Sequence, residues 1–183
     1  TGITFPSADT IKFSTGGVER MQITNSGVTG TGIGGGKILQ VVQDTLTTQT
    51  ALASTSYGDL GLSQAITPQT NSKILAIVTI QSYLNSDDNE GFGIKLIRTP
   101  SGGSDATVFT SASKTDVYGY TNFTGEHIRM YVRSPWHILD SSVGGNGSTA
   151  ITYKVQVANH TTSSISFSND NNQSSLTLFE IGA

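Results

Sequence analysis

The sequence predicts an all-β protein in which a short intertwined β stalk precedes a β-sandwich or jelly-roll-like head. First, the 183 residues include 23 Ser, 26 Thr and 21 Gly, and this composition favours strands and turns. Second, many segments alternate apolar and polar residues, which is the pattern of strands with one buried face. Third, no segment of ten or more residues repeats its apolar residues with the 3.6-residue period of a helix.

The first 36 residues form a separate stalk in this prediction. Apolar pairs spaced by two residues mark one face of short strands: Ile3 and Phe5, Ile11 and Phe13, Met21 and Ile23. Turn residues separate them at 6–9, 14–17 and 25–27. Such short strands cannot build a two-layer core alone. The stalk therefore either packs on the head or intertwines with copies of itself, and the second arrangement is favoured because repeat-like units bury their faces by association.

A glycine-rich joint, Gly34–Gly36, separates the stalk from the head, which is predicted to span residues 37–183. The segment Gly30–Gly35 also fits the G-x-G-x-x-G pattern of dinucleotide-binding loops. Such a loop must open a helix, whose N-terminus holds the pyrophosphate. Because a strand, 38–42, follows instead, the segment is interpreted as a joint.

The head contains one dominant strand, 72–84. Ile74, Ala76, Val78 and Ile80 line one face, and Leu75, Ile77 and Tyr83 make the other face partly apolar. A strand that is apolar on both faces is covered on both sides, and another subunit could supply the second cover. Further strands are predicted at 38–43, 92–98, 128–133, 152–157, 164–167 and 175–181. Residues 58–63 are interpreted as a bridge to 66–68, and 100–104, 111–125 and 141–147 as loops or turns.

Composition and charge argue against several function classes. The formal net charge is −3, and the ten Lys and Arg residues are scattered, whereas nucleic-acid binding needs clustered basic residues. No apolar run approaches the ~20 residues that span a bilayer, so membrane insertion is not expected. There is no Cys for disulfides or thiolate metal sites. The chain begins without Met or a signal peptide, and we expect it to be part of a longer protein.

Residue patterns typical of catalysis and metal binding are weak. Gly61–Ala65 does not complete a nucleophile elbow. Asp116 and Glu126 flank a loop, but the sequence does not set the distance that glycoside cleavage requires. The acidic run Asp87–Glu90 lacks the alternation of a Ca²⁺ loop, and His127, His137 and His160 are far apart. We expect no enzyme activity, no cofactor and no metal.

Aromatic residues in loops are the best signal of a binding surface. Tyr118, Tyr120 and Asn122 lie in a Gly- and Thr-rich stretch, and Trp136 follows Pro135. These four are the candidate ligand-binding residues, since aromatic rings accept the C–H faces of sugars while amides bind hydroxyl groups. The alternative is that the rings pack in the core or in a subunit interface, where aromatic residues also dominate.

Two groups of motifs resemble proteins of bacteriophage tails. The segment Val18–Val28, in which Glu-Arg-Met leads through a polar turn to Gly, resembles a short repeat of many phage tail fibres. The order of the head motifs resembles a C-terminal domain of tail-fibre-like proteins of marine and cyanobacterial phages: Lys37-Ile-Leu-Gln-Val-Val, Ser72-Lys-Ile-Leu, Thr152-Tyr-Lys-Val-Gln-Val and Leu176-Thr-Leu-Phe-Glu-Ile. Glu180 fits the acidic position in the ending of that domain.

The resemblance implies a homotrimeric fibre on the virion that is extracellular when it functions. Its head would recognise a host cell-surface glycan or protein, and its partners would include other tail or virion proteins. An alternative function is a virion structural part, either a capsid decoration or a fibre-attachment piece, that binds other virion proteins. A glycan-depolymerase spike is a third reading.

Overall fold

The regular secondary structure of the described chain is almost entirely antiparallel β-strand, with 62% strand and 1% helix. The computed structural model describes residues 1–30, 37–85, 89–119, 129–168, 170 and 172–182. The predicted all-β class with sandwich-like sheets is confirmed, and the joint at Gly34–Gly36 lies outside the described residues. The strands are β1 Gly2–Thr4, β2 Ile11–Thr15, β3 Val18–Thr24, β4 Gly27–Gly30, β5 Ile38–Leu46, β6 Thr50–Leu52, β7 Gly58–Ile66, β8 Lys73–Asn85, β9 Gly91–Pro100, β10 Ala106–Thr110, β11 Val117–Tyr118, β12 Arg129–Asp140, β13 Ile151–Asn159, β14 Ile165–Phe167 and β15 Ser174–Ile181.

Strands β1 to β4 form a sheet of their own in sequential order. The register places the apolar side chains in two rows on one face, because residues paired across antiparallel strands share a face. The first row is Ile3, Phe13 and Met21, and the second is Ile11, Ile23 and Val28. The opposite face is polar and carries the ion pair between Lys12 Nζ and Glu19 Oε2 at 2.7 Å.

The apolar face of this N-terminal sheet is not buried by the described chain. Not one of residues 1–30 is buried. Ile3 is 58% exposed, Val28 43%, and Phe5, just after β1, 73%. The sheet therefore has one apolar and one polar face, as a sheet packed on a core has, but the described chain provides no second layer to cover the apolar face.

The head is a sandwich of a five-stranded and a six-stranded sheet. Each is four strands wide, because two short strands can follow one another along the same neighbour. In the first sheet, β9 pairs with β13 on one side and with both β10 and β11 on the other, and β13 pairs with β7. In the second, β8 pairs with β12 on one side. Its other side pairs with β15 and β14, which in turn pair with β5 and β6.

The core fills the space between these two sheets. Ile74, Ala76, Val78 and Ile80 of β8 are fully buried, which agrees with the face predicted from their spacing. From the other sheet, β9 and β13 contribute large side chains, among them Phe92, Ile94, Leu96, Tyr153 and Val155. The alternation of each strand thus supplies one inner face to a shared core.

Strand β12 is longer than the sequence predicted. The prediction ended at 133 and left 135–140 unassigned, but β12 continues through Pro135, which lies opposite Thr79. Among the described strands, β12 pairs only with β8 and so lies at the sheet edge. Proline, which lacks an N–H group, is tolerated in an edge strand.

Two other expectations of the sequence were wrong. Residues 58–63 are the start of β7 and not a bridge, and β11 lies within the predicted loop 111–125. The register of β7 against β13 shifts at Gly61, where residues 60–62 lie opposite Val155. Gly61 has φ +101°, a conformation that favours glycine. This bulge explains why the segment resembles a turn in sequence.

An ion pair inside the sandwich joins the two sheets. Arg98 Nη1 of β9 lies 2.5 Å and 2.6 Å from the two carboxylate oxygens of Asp140 of β12. The hydroxyl of Tyr153 donates to Asp140 Oδ2 at 2.9 Å. Burial and the adjacent Asp140 charge raise the pKa of Tyr153, so the phenol stays protonated and remains a donor.

A second buried carboxylate, Glu180 of β15, holds the crossover from β7 to β8. Ser72 Oγ and the Gln69 backbone N–H donate to Oε1, each at 2.6 Å, and Gln40 Nε2 donates to Oε2 at 2.6 Å. Burial alone would raise the pKa of Glu180, but these three donors outweigh it, so the pKa lies below its usual value. The charged form is therefore part of the native structure.

Stability should fall in acid partly because of Glu180. A lowered pKa in the folded state stabilises the protein above the unfolded-state pKa of about 4.3, and this contribution is lost as the pH falls through the folded-state value. Replacing Glu180 by Gln should cost about 1.5–3 kcal/mol at pH 7, the scale of one hydrogen bond to a charged group. The free energy of unfolding of the Glu180→Gln variant should also fall less steeply as the pH is lowered.

Urea unfolding at a series of pH values measures both effects. Gln43, an exposed residue on the outer face of β5, provides the control, since Gln43→Glu should change neither quantity by much. A Glu180→Gln protein with unchanged stability at pH 7 and an unchanged acid limb would contradict this account.

Candidate functional site

Three chain segments meet at one end of the five-stranded sheet. Antiparallel pairing aligns the start of β7 and the start of β9 with the end of β13, as shown by the pairs Gly58 with Val157 and Phe92 with Asn159. Segment 54–57 precedes β7, and 159–160 lies at the end of β13. Segment 110–118 runs from the end of β10 through β11, which pairs with the start of β9, so the three segments are neighbours. A hydrogen bond of 2.8 Å from the Asn159 N–H to the Ser54 carbonyl ties two of them together.

The segment 111–118 is fastened to β9 by main-chain and side-chain hydrogen bonds. The Ser111 N–H donates to the Ile94 carbonyl, and the Ile94 N–H donates to Ser111 Oγ, both at 2.8 Å. At the other end, the Gly119 N–H donates to the Glu90 carbonyl at 2.8 Å. Most of the predicted loop is thus held in a fixed position on the sheet.

Two glycines in β9 permit this close approach. A Cβ atom at Gly91 would lie 2.6 Å from Cδ2 of Tyr118, and one at Gly93 would lie 2.6 Å from the Ser113 carbonyl oxygen. Glycine in a strand often marks a place where another backbone approaches closely. Phe92, between them, points to the opposite side and is fully buried.

Aromatic side chains line this end of the sheet. The Tyr118 ring, 40% exposed, meets the His160 ring edge to face, with 5.5 Å between centroids. The Lys95 ammonium lies 4.7 Å from the centroid of the Tyr57 ring. Burial, and then the charge of Asp116, raise the pKa of Tyr57. Both tyrosines are thus held in place, and Tyr57 keeps its phenolic proton at neutral pH.

An open cleft of about 430 Å³ lies beside these rings. Its lining combines Tyr57 and His160 with the hydroxyl-bearing Ser111 and Ser113 and the ammonium of Lys114. Lys114 Nζ donates to the Thr55 carbonyl, which fixes the position of its charge. Ligand sites typically have volumes of about 300–1,000 Å³, and the lining of this cleft offers donors without a carboxylate.

The four predicted ligand-binding residues fall in different settings. Tyr118 lies beside the cleft, next to His160. Trp136 is on the core-facing side of β12, half-buried, with its ring centroid 6.1 Å from that of Phe92. Tyr120 and Asn122 lie outside the described residues. Trp136 therefore has a packing role, and ligand contact by any of the four stays a prediction.

The sequence did not single out Tyr57, Lys114 or His160 as one site. They are separated by more than 40 residues, and only pairing of β7, β9 and β13 brings them together. The available signal was the Gly-Phe-Gly run at 91–93, since glycines within a strand indicate close contact with another part of the chain.

The part of the chain that the structure describes was searched for clusters of metal-ligating side chains and for membrane-spanning helices. No group of three or more His, Cys, Asp or Glu side chains there could hold a metal ion. No helix within the described ranges is long and apolar enough to cross a membrane. His127, Glu126, Asp87 and Asp88 of the sequence analysis lie outside these ranges.

A second surface is the outer face of the six-stranded sheet. Four apolar side chains form a continuous cross-strand row there: Leu139 of β12, Leu75 of β8, Phe179 of β15 and Val41 of β5. Leu139 is 53% exposed and Val41 is 52% exposed. We call these four residues the apolar row. With strands about 4.8 Å apart it extends about 14 Å across the sheet.

No family model matches the chain, and no curated protein matches it. Among solved structures, the chain is similar to an infectious bursal disease virus Gx strain structure, with a TM-score of 0.40, 15% identity, and coverage of 79% of this chain and 37% of that chain. A Gt strain structure of the virus gives a TM-score of 0.38 and 12% identity, with coverage of 95% of this chain and 48% of that chain. The VP2 subviral particle of the same virus gives a TM-score of 0.32 and 13% identity, with coverage of 98% of this chain and 49% of that chain.

The chain spans less than half the length of each of these three viral chains. Neither the identities nor the TM-scores establish a shared function.

Trp136→Ala should destabilise the head by about 2–4 kcal/mol, since a large aromatic side chain packed on the core is lost. His137→Ala, at the next position of β12, should change stability by less than about 0.5 kcal/mol, because the His137 side chain is exposed. Thermal unfolding followed by circular dichroism measures both. Equal stability of the two variants would show that Trp136 does not pack as described.

Proposed function

We propose that the chain is a non-catalytic structural component of a virion. Residues 1–36 form the stalk and residues 37–183 form the head of a homotrimeric fibre tip. This tip recognises the host cell surface. The observation that carries the proposal is the apolar face of the N-terminal sheet, which the described chain leaves unburied. The likeness of Val18–Val28 to phage-fibre repeats supports the assignment to a virion.

Association of copies gives that apolar face a cover. The two rows of the N-terminal sheet hold six apolar side chains, and full burial of one such side chain contributes about 1.5–3 kcal/mol. Copies that bring these faces together would bury the rows and leave the polar face, with Lys12 and Glu19, in water. Three sheets arranged around an axis enclose such a core, which agrees with the trimer that the resemblance implies.

The head would then act by binding and not by chemistry. The buried carboxylates of Asp140 and Glu180 in the head are both engaged in structural hydrogen bonds. A cleft with fixed aromatic rings and donors at the end of the sandwich suits recognition of a surface molecule. Incubation of the protein with bacterial host cells tests this function, and release of reducing sugar would instead support a depolymerase.

Ile23→Ser should dissociate the assembly. Each copy loses about 1.5–3 kcal/mol of apolar burial, so a trimer loses about three times as much. Because the midpoint concentration of a monomer–trimer equilibrium varies with the square root of its dissociation constant, assembly should shift to a protein concentration at least about fortyfold higher. Gln22→Ser provides a matched control, because Gln22 is the adjacent residue on the polar face of the same strand. Chemical cross-linking over a dilution series measures the shift. Equal behaviour of the two variants would contradict an interface on the apolar face.

The apolar row favours a second candidate function, a virion structural part whose head attaches to another virion protein. A flat, partly exposed apolar sheet face is typical of a protein-binding surface. In the fibre-tip reading the row instead contacts other copies of the head.

Paired changes distinguish the two readings. Leu139→Glu with Val41→Glu should weaken head-to-head contact in the fibre tip and reduce cross-linking between residues of the head. Gln43→Glu, on the same face two residues along β5 from Val41, is the control. If the double variant keeps its cross-linking between heads but no longer attaches to virus particles, the result would support the virion structural part. It would contradict a role of the apolar row in contacts between heads of a fibre tip.

A further inference from the structure

We propose that the cleft beside Tyr57, Lys114 and His160 binds a carbohydrate that carries a carboxylate group. This inference rests on the proposed host-recognition function and specifies its ligand. Binding of such a ligand requires a surface for the sugar ring and donors for the carboxylate and hydroxyl groups. These side chains must also be held in position before the ligand binds.

Aromatic rings supply the surface: Tyr57 and His160 line the cleft, and Tyr118 extends the surface beside it by packing on His160. Tyr57, Tyr118 and His160 lie on three segments that the pairing of β7, β9 and β13 brings to one end of the sheet. Each ring is anchored: Tyr57 under the Lys95 ammonium, Tyr118 over Gly91, and His160 through its backbone N–H, which donates to the Gly91 carbonyl at 2.7 Å. Rigid aromatic side chains provide contact area at a low cost in conformational entropy.

The polar groups of the cleft favour an anionic ligand. Lys114 has three N–H donors, and one of them is used on the Thr55 carbonyl. A second cation, Lys95, lies against Tyr57. Among the described residues that line the cleft, Lys114 carries a positive charge and none is Asp or Glu. A sugar carboxylate would complete a charge-assisted hydrogen bond with Lys114.

Hydroxyl groups complete the recognition chemistry. Thr110, Ser111 and Ser113 line the cleft, and each hydroxyl both donates and accepts a hydrogen bond, as sugar hydroxyls do. The volume of about 430 Å³ lies in the range of small-molecule sites and limits the contact to a short stretch of a polysaccharide. The affinity of one cleft is then low, and repeated copies on one fibre raise it through multivalency.

Saturation-transfer nuclear magnetic resonance of the whole chain tests the inference. The probes are oligosaccharides that contain glucuronic acid or N-acetylneuraminic acid, with neutral glucose oligosaccharides as matched controls. At least one acidic probe should show saturation of its ring protons and a Kd at least tenfold lower than that of the neutral probes. Lys114→Gln and Tyr118→Ala should each raise that Kd at least tenfold.

Lys73→Gln is the control variant, because Lys73 is an exposed lysine on β8 of the other sheet. It should bind the acidic probe like the unmodified chain. Circular dichroism checks that each variant is folded. If Tyr118→Ala fails to fold, Lys114→Gln alone decides, since its amide keeps a donor for Thr55.

Three outcomes would overturn the inference: no binding of any acidic probe, equal binding of acidic and neutral probes, or binding that the Lys114 variant leaves unchanged. A chain that binds host cells as an oligomer but binds no acidic sugar would refute only this ligand. A chain that stays monomeric and binds no cells would refute the proposed function itself.

Discussion

A β-sheet with one apolar face is stable only when a second layer covers that face. The head meets this constraint internally, because the inner faces of its two sheets share one core that includes Phe92, Tyr153 and Val78. The N-terminal sheet has the same alternation but no second layer among the described residues. The difference between the two parts of the chain follows from this single requirement, and so does the proposal that copies associate through the N-terminal sheet.

Buried polar groups lock the two layers of the head in register. Asp140, with Arg98 and Tyr153, joins one sheet to the other, and Glu180 fixes the crossover through Ser72, Gln69 and Gln40. Removing one partner from such a cluster leaves a buried charge unsatisfied, which is costly. Within the first sheet, the pairing of β13 with β7 and with β9 sets which strand ends meet at the cleft.

The sequence predicts well those features that depend on local alternation. The buried face of β8, the short strands of the first 30 residues and the turns between them follow directly from two-residue spacing. The extension of β12 through Pro135 was missed because proline usually argues against a strand, and only its edge position makes it acceptable. The start of β7 was also missed, because the glycine at the bulge, Gly61, is a residue typical of turns.

The cleft could not be predicted from local sequence patterns. Tyr57, Lys114 and His160 become neighbours only through non-local strand pairing, and a single sequence carries no record of that pairing. Of the aromatic candidates, Tyr118 lies beside the cleft, whereas Trp136 faces the core, because its parity along β12 places it opposite the buried Val78. A residue's face could be assigned only after the strand itself was recognised.

The molar mass of the unmodified chain in solution tests the central claim most directly. Light scattering at micromolar concentration should give three times the monomer mass, since we propose that two other copies cover the apolar face of the N-terminal sheet. A monomer mass over the same concentration range would contradict the account, because that face would then remain in contact with water.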